Sequence, residues 1–214
     1  MSCLETLEVN PRIRFSRLVN HGENYTEVKR LHGDLIKVLP GGYYVTNGQY
    51  RLETMLGSCV TACIRDPLLK LGGINHFMLP QSTHHKSDWL SCERTRFGVH
   101  AMETLIGTLI KHGGDPKRFE VKLFGGGKVV TGMNTDVGRL NVEFARHYLK
   151  TEGLNLLSED LGGAYSRRLI YDVSNGEVML KRTLSSELVS RREYAHILQI
   201  SQQVLVGEIE LFKE

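Results

Sequence analysis

Cys59 stands in Leu56-Gly57-Ser58-Cys59-Val60, and His76 stands seventeen positions later in Gly72-Gly73-Ile74-Asn75-His76-Phe77-Met78-Leu79-Pro80. A thiol at a Gly-Ser turn and an imidazole on the next apolar run are the minimum parts of a cysteine hydrolase. The thiolate attacks a carbonyl carbon; the imidazole takes the thiol proton and later hands it to the leaving group. Free cysteine has a pKa near ~8.5, so a thiolate at neutral pH needs a stabilising neighbour. Backbone N–H groups at the Gly57-Ser58 turn and a nearby imidazolium are candidates. The same N–H groups suit an oxyanion hole, because glycine lets the chain approach a substrate closely. A third group usually orients such an imidazole. Thr54 and Glu53, both just upstream of the turn, are the candidates. Each residue also has a plain structural reading: Cys59 fits a small buried hydrophobe, and His76 fits a core histidine with satisfied hydrogen bonds.

A zinc site is a rival use of the same residues, since Cys59, Cys63, His76, His84, His85 and Cys92 lie close in sequence. If 59–64 is a strand, Cys59 and Cys63 share a face but sit about 13 Å apart at ~3.3 Å per residue, too far for two Zn–S bonds of ~2.3 Å. A helix would bring them together, but Val60, Thr61 and Ile64 are β-branched and disfavour one. No metal and no cofactor are therefore expected. Gly125-Gly126-Gly127 lacks the spacing of a phosphate-binding loop and reads as a turn with close backbone packing. His84-His85 reads as a solvated loop pair, and Arg167-Arg168 as a solvated face or a binding edge.

These residues need a scaffold, and the chain is long enough to supply one. Its 214 residues favour one domain with an added segment. The formal charge of +3 comes from scattered basic residues with no run interleaved with aromatics, which argues against nucleic acid. No stretch approaches the ~20 apolar residues of a membrane span. Residues 1–14 lack an apolar run and carry Glu5 and Glu8, so they do not read as a secretory signal. A cytoplasmic protein is expected, with Cys3, Cys59, Cys63 and Cys92 as thiols.

Residues 1–32 are polar and weakly periodic. From Ile36 the β signals begin. Tyr43-Tyr44-Val45-Thr46 and Gln49-Tyr50-Arg51-Leu52 flank Asn47-Gly48, the pattern of a tight hairpin. Val60 to Ile64 and Gly73 to Leu79 read as buried strands, with Arg65-Asp66-Pro67 opening the turn between them. Residues 81–96 read as a long surface loop. Phe97 to His112 has helical spacing through Ala101, Met102, Leu105, Ile106 and Leu109, and Gly113-Gly114 ends it. Phe119, Val121 and Leu123 alternate as in a half-buried strand. Asn134, Thr135 and Asp136 offer caps for a helix with Val137, Leu140, Phe144 and Tyr148 on one face, closed by Gly153. Leu169 to Val173 and Glu177 to Lys181 flank Ser174-Asn175-Gly176 as a hairpin. Residues 184–205 have helical spacing, with Leu188, Ile197, Leu198 and Leu205 as buried candidates, and 204–212 could add a last strand. Hairpins mixed with helices favour an α+β fold over a parallel α/β sheet.

Several stretches together resemble the bacterial chemoreceptor glutamine deamidases, the CheD family. They are Thr54-Met55-Leu56-Gly57-Ser58-Cys59-Val60, Asp66-Pro67, Gly72 to Pro80, Phe97-Gly98, Phe124-Gly125-Gly126-Gly127, Gly138-Arg139-Leu140-Asn141 and Glu159-Asp160-Leu161-Gly162-Gly163. The resemblance spans residues 35–182, leaving 1–34 as an N-terminal extension and 183–214 as a C-terminal one. It implies a β-sandwich-like core of mixed sheets flanked by helices, of a cysteine-hydrolase type related to toxin deamidases. It implies Cys59 as nucleophile, His76 as general base and acid, and a threonine just upstream as the third group. Thr54 is the threonine of that segment, five positions before Cys59, while some members place theirs where this chain has Glu53. The implied reaction converts glutamine side chains on the cytoplasmic helices of methyl-accepting chemotaxis receptors to glutamate with release of ammonia.

Two other classes compete. One is a non-catalytic adaptor that binds chemoreceptors or a CheC-type phosphatase. The other is a papain-like protease, disfavoured because its Cys and His stand some 130–150 residues apart.

Overall fold

The computed structural model describes residues 25–30, 33–80, 93–129 and 136–184, together with Ala195. Residues 81–92 of the loop expected at 81–96, with His84 and His85, as well as Cys3 and Cys92, the caps Asn134 and Thr135, and the helix and last strand beyond 184, lie outside the described residues.

Ten strands and two α-helices are described. In chain order they are β1 (Tyr25–Arg30), β2 (Gly33–Val38), β3 (Tyr43–Thr46), β4 (Arg51–Leu56), β5 (Val60–Asp66), β6 (Leu71–Asn75), α1 (Glu93–Lys111), β7 (Glu120–Gly125), α2 (Val137–Thr151), β8 (Asn155–Leu161), β9 (Tyr165–Asp172) and β10 (Val178–Leu184). They form two five-stranded sheets, ordered β1-β2-β4-β9-β10 and β3-β6-β5-β7-β8. Most pairs are antiparallel, but β2–β4 and β7–β8 run parallel, so both sheets are mixed. The fold is α+β, as expected.

Two buried clusters explain the layering. Leu52, Leu56, Leu169 and Tyr171 of the first sheet meet Cys59, Cys63 and Ile74 of the second. On the other face of the second sheet, Val60, Ala62, Ile64, Val121 and Leu123 meet Met102, Leu105 and Leu109 of α1 and Phe144, Ala145 and Leu149 of α2. The alternation along β5 sends odd-numbered residues between the sheets and even-numbered ones under the helices. Cys59 and Cys63 thus share the intersheet face.

Some expectations need correction. β3 and β4 are not a hairpin: β3 pairs with β6 and β4 with β9, in different sheets. Gly48 does adopt a positive φ of 87°, but it turns the chain from one sheet to the other, with Ser174 packed on it. β6 ends at Asn75 rather than running to Leu79, and Phe77 keeps only an isolated bridge to Val60. Asn75 explains the interruption. Its side-chain Oδ1 accepts Ala62 N–H at 2.9 Å in place of a backbone carbonyl, and its Nδ2 donates to the Ala101 carbonyl of α1 at 3.1 Å. α1 starts at Glu93, four residues before the expected Phe97. The parallel edge strand β8 had no expectation attached to it. The Ser174-Asn175-Gly176 hairpin joins β9 and β10 in register, and Asp136 caps α2 by accepting from Arg139 N–H at 3.0 Å.

Candidate active site

The turn Gly57-Ser58-Cys59 carries the chain from β4 in the first sheet to β5 in the second. Thr54, near the end of β4, faces the second sheet in the same alternation as Leu52 and Leu56. His76 follows the end of β6. This crossing point brings Thr54 and His76 together: Thr54 Oγ1 lies 2.7 Å from His76 Nδ1, and both residues are buried. Thr54 Oγ1 also donates to the Val38 carbonyl at 2.8 Å. A hydroxyl has one proton. Since that proton goes to Val38, the oxygen accepts from Nδ1–H, which sets the neutral tautomer of His76 and leaves the basic lone pair on Nε2.

The backbone of His76 is held as tightly as its ring. Its N–H donates to Gly42 O at 2.9 Å, and its carbonyl accepts from Gly41 N–H at 2.7 Å. Val60 and Phe77 exchange two hydrogen bonds of 2.9 Å. This bridge puts Cys59 opposite Met78 and makes His76 its diagonal neighbour, a relation that in antiparallel pairs spans about 7–8 Å between backbones, within reach of long and aromatic side chains. Met78 covers the thiol, with its Sδ 3.9 Å from Cys59 Sγ and 3.6 Å from Ser58 Oγ. Cys59 is only 1% exposed.

Glu53 faces the other way and is bonded to Arg168, not to His76. Of the two candidates for the third position, Thr54 is the one in contact with the imidazole. Cys63 is a different kind of thiol: burial pushes its pKa far up and the nearby Lys122 offsets this only in part, so it stays protonated and inert. Among the described residues, no three His, Cys, Asp or Glu side chains gather as a metal site.

The glycine run is a packing device, as its lack of a phosphate-loop pattern implied. Gly126 N–H donates to Cys59 O and Gly127 N–H to Gly57 O, each at 2.7 Å. A Cβ on Gly125 would stand 2.1 Å from the Cys59 carbonyl oxygen, and its φ of 112° independently favours glycine. Beyond Gly126, a cleft of about 280 Å³ is lined by Lys128, Asp136, Arg139 and Arg146 but does not reach Cys59 or His76.

Two residues were not picked out for the parts they play here. Arg167, expected on a solvated face, is fully buried. It donates to Asp160 at 2.9 Å and to the Gly162 carbonyl at 2.7 Å. Gly162 N–H in turn donates to Gly125 O at 2.8 Å, so the ion pair braces the glycine run that braces the turn. Asn141 of α2 donates from Nδ2 to Ser58 O and accepts from Leu79 N–H, both at 2.8 Å. Its only sequence signal was its place in Gly138-Arg139-Leu140-Asn141.

The family model described as CheD chemotactic sensory transduction matches residues 78–182. A Hahella chejuensis protein described as "Probable chemoreceptor glutamine deamidase CheD" is 43% identical over 180 residues, covering 83% of this chain and 85% of its own. A Halorhodospira halophila protein of the same description is 47% identical over 182 residues, covering 82% and 83%. One from Hydrogenovibrio crunogenus is 38% identical over 178 residues, covering 82% and 93%. A crystal structure of a Neisseria meningitidis protein overlays with a TM-score of 0.36 and 12% identity over 67% of this chain and 64% of that one, too distant a likeness to carry an argument. Relatives this similar, over four-fifths of the chain and as much of their own length, decide its kinship: the chain belongs to the CheD family.

Proposed function

We propose that the protein is a protein-glutamine deamidase, a cysteine amidohydrolase that converts glutamine side chains of methyl-accepting chemotaxis receptors to glutamate. The observation that carries the mechanism is the Thr54–His76 contact, with Thr54's own proton committed to Val38. It leaves Nε2 as the base, on the same intersheet face as the Cys59 thiol.

His76 Nε2 takes the Cys59 proton, and the sulfur adds to the side-chain carbonyl carbon of glutamine. The tetrahedral intermediate collapses with cleavage of the C–N bond. The imidazolium gives its proton to the departing nitrogen, which leaves as ammonia, and a thioester to Cys59 remains. His76 then takes a proton from water, hydroxide adds to the thioester, and the thiolate leaves and is reprotonated. The sum is glutamine plus water to glutamate plus ammonia. A glutamyl methyl ester could pass through the same thioester, with methanol leaving instead.

The substrate carboxamide is neutral and the product is a carboxylate, so each turnover changes like-charge repulsion along a receptor helix. No helix among the described residues is long and apolar enough to cross a membrane. A cytoplasmic setting, where receptor helices are within reach, fits this reading.

One observation favours the adaptor alternative, in which the chain docks on receptors or on a CheC-type phosphatase without turnover. Cys59 and His76 are 1% and 2% exposed and Met78 lies against the thiol, so a carboxamide reaches the thiol only after covering side chains move. Incubating the protein with purified receptors separates the two. Gln-to-Glu changes mapped by mass spectrometry, matched by ammonia and lost in Cys59→Ala, are the expected result. Receptor binding without either product would leave the adaptor.

A further inference from the structure

Three successive carbonyls of the Cys59 turn are each held by a donor from outside it. Gly57 O and Cys59 O accept from Gly127 and Gly126, while Ser58 O accepts from the Asn141 side chain. In a trans peptide the carbonyl and the next N–H point in opposite directions, so fixing one fixes the other. No cis peptide bond occurs among the described residues. Asn141 therefore sets the plane of the Ser58–Cys59 peptide. The carbonyl faces α2, and the Cys59 N–H faces away from it. Since α2 covers the outer face of the second sheet and the Cys59 side chain lies between the sheets, the N–H and the thiol turn to the same side.

The same carboxamide accepts from Leu79 N–H, next to the Met78 that covers the thiol and three residues beyond His76. Asn141 thus joins the peptide before the nucleophile to the segment that bears the imidazole. It is fully buried, with both ends of its amide in use. A site that needed only packing would be filled at less cost by an apolar side chain.

We propose that Asn141 is a positioning residue for the reaction: by holding the Ser58 carbonyl it aims the Cys59 N–H at the oxyanion of the tetrahedral intermediate. The inference rests on the amidohydrolase reading above. As sulfur adds to the glutamine carbonyl, its oxygen gains charge, and a donor fixed in advance stabilises that charge without reorganisation. Loss of the aim raises the barrier while leaving the thiol and the His76–Thr54 pair in place.

The test compares wild type with Asn141→Asp, which keeps the size and the acceptor for Leu79. When ionised, it presents a charged oxygen to the Ser58 carbonyl instead of a donor. Ammonia release from purified receptor is measured per chain in which iodoacetamide labels Cys59 and spares Cys63. kcat should fall about 10²-fold with KM little changed; in Asn141→Ala, which brings no charge beside the thiol, the pH profile of Cys59 alkylation should not move. A protonated carboxyl regains a donor, and burial raises its pKa. The ratio of variant to wild-type kcat should therefore climb as the pH falls. Wild-type kcat in the variant overturns the proposal. So does an alkylation profile that shifts in Asn141→Ala together with kcat, the mark of a generally disordered site. If the Asp protein does not fold, Asn141→Ser, whose hydroxyl can still donate, should keep more kcat than Asn141→Ala; equal losses overturn the proposal. A wild type that releases no ammonia is a separate failure, of the amidohydrolase reading itself, and takes this inference with it.

Discussion

Thr54 and Glu53 are neighbours on β4 and face opposite sides of the sheet: Thr54 contacts the imidazole of His76, and Glu53 pairs with Arg168. One residue of register separates a contact with the candidate base from an ion pair on the other face of the sheet. Thr54→Ala should therefore lower kcat about 10- to 100-fold, the scale of a misplaced reacting group. Thr54→Ser should recover most of it, because the hydroxyl is kept. Glu53→Ala should act mainly on stability. Steady-state ammonia release from the three variants checks the ranking, and a larger kcat loss in Glu53→Ala would reverse the assignment.

Cys59→Ala should abolish turnover with the fold intact, since it removes the nucleophile and little volume. Cys59→Ser should be nearly inactive too, because a hydroxyl is a far weaker nucleophile at neutral pH. In the wild type, iodoacetamide should label Cys59 before Cys63, whose thiol burial holds in the protonated form. Peptide mapping after brief labelling reads this directly, and preferential labelling of Cys63 would contradict the assignment.

His76→Ala should slow turnover by roughly 10²–10⁴-fold, the usual worth of acid–base transfer. The loss should appear in kcat for both the amide and the methyl ester. Of the two, the amide should suffer more, because ammonia needs a proton to leave and methanol needs it less. A folded His76→Ala protein with wild-type kinetics would return His76 to a plain core histidine.

Cys59 and His76 stood out in the sequence as candidates because a Cys-His mechanism demands those residue types, one beside a glycine turn and one on the next apolar run. Thr54 could not be separated from Glu53 there, because spacing does not say which face of β4 meets His76. Asn47-Gly48 misled for a related reason: a turn preference is local, whereas the sheet each flanking strand joins is set by distant partners. β8 gave no periodic signal because Asn155 to Glu159 are exposed at a sheet edge. Arg167 looked like surface because its type is usually solvated; the Asp160 carboxylate and the Gly162 carbonyl together make its burial tolerable. Asn141 lies 83 positions from Ser58 and 62 from Leu79, so no local pattern could assign its part.

Two carboxylates test whether the brace behind the glycine run matters to catalysis. Burial pushes both up, but hydrogen bonds outweigh it and both end below the usual range. Arg118 with the Asp115 and Leu69 N–H groups does this for Asp66, and Arg167 with Arg182 does it for Asp160. A depressed folded-state value means the native protein binds fewer protons than the unfolded chain. The stabilisation is thus fully present above the unfolded value of ~3.9 and is lost as the pH falls through the folded one. Asp160→Asn also strands the buried Arg167 guanidinium, at a cost of about 2 kcal/mol, below the ~3–5 of a fully enclosed pair because Asp160 is partly exposed. Both Asp66→Asn and Asp160→Asn should destabilise at pH 7, and each gap to wild type should narrow in acid. They should differ in activity. Asp66 sits at the β5–β6 turn, away from Cys59, so kcat per folded molecule should be unchanged. Asp160 holds Arg167, which holds Gly162, which holds Gly125 beside the Cys59 carbonyl, so its loss should lower kcat as well. Denaturant melts at pH 7 and pH 3.5, paired with ammonia release at pH 7, decide it. Equal kcat in the two variants would mean that the brace serves stability alone.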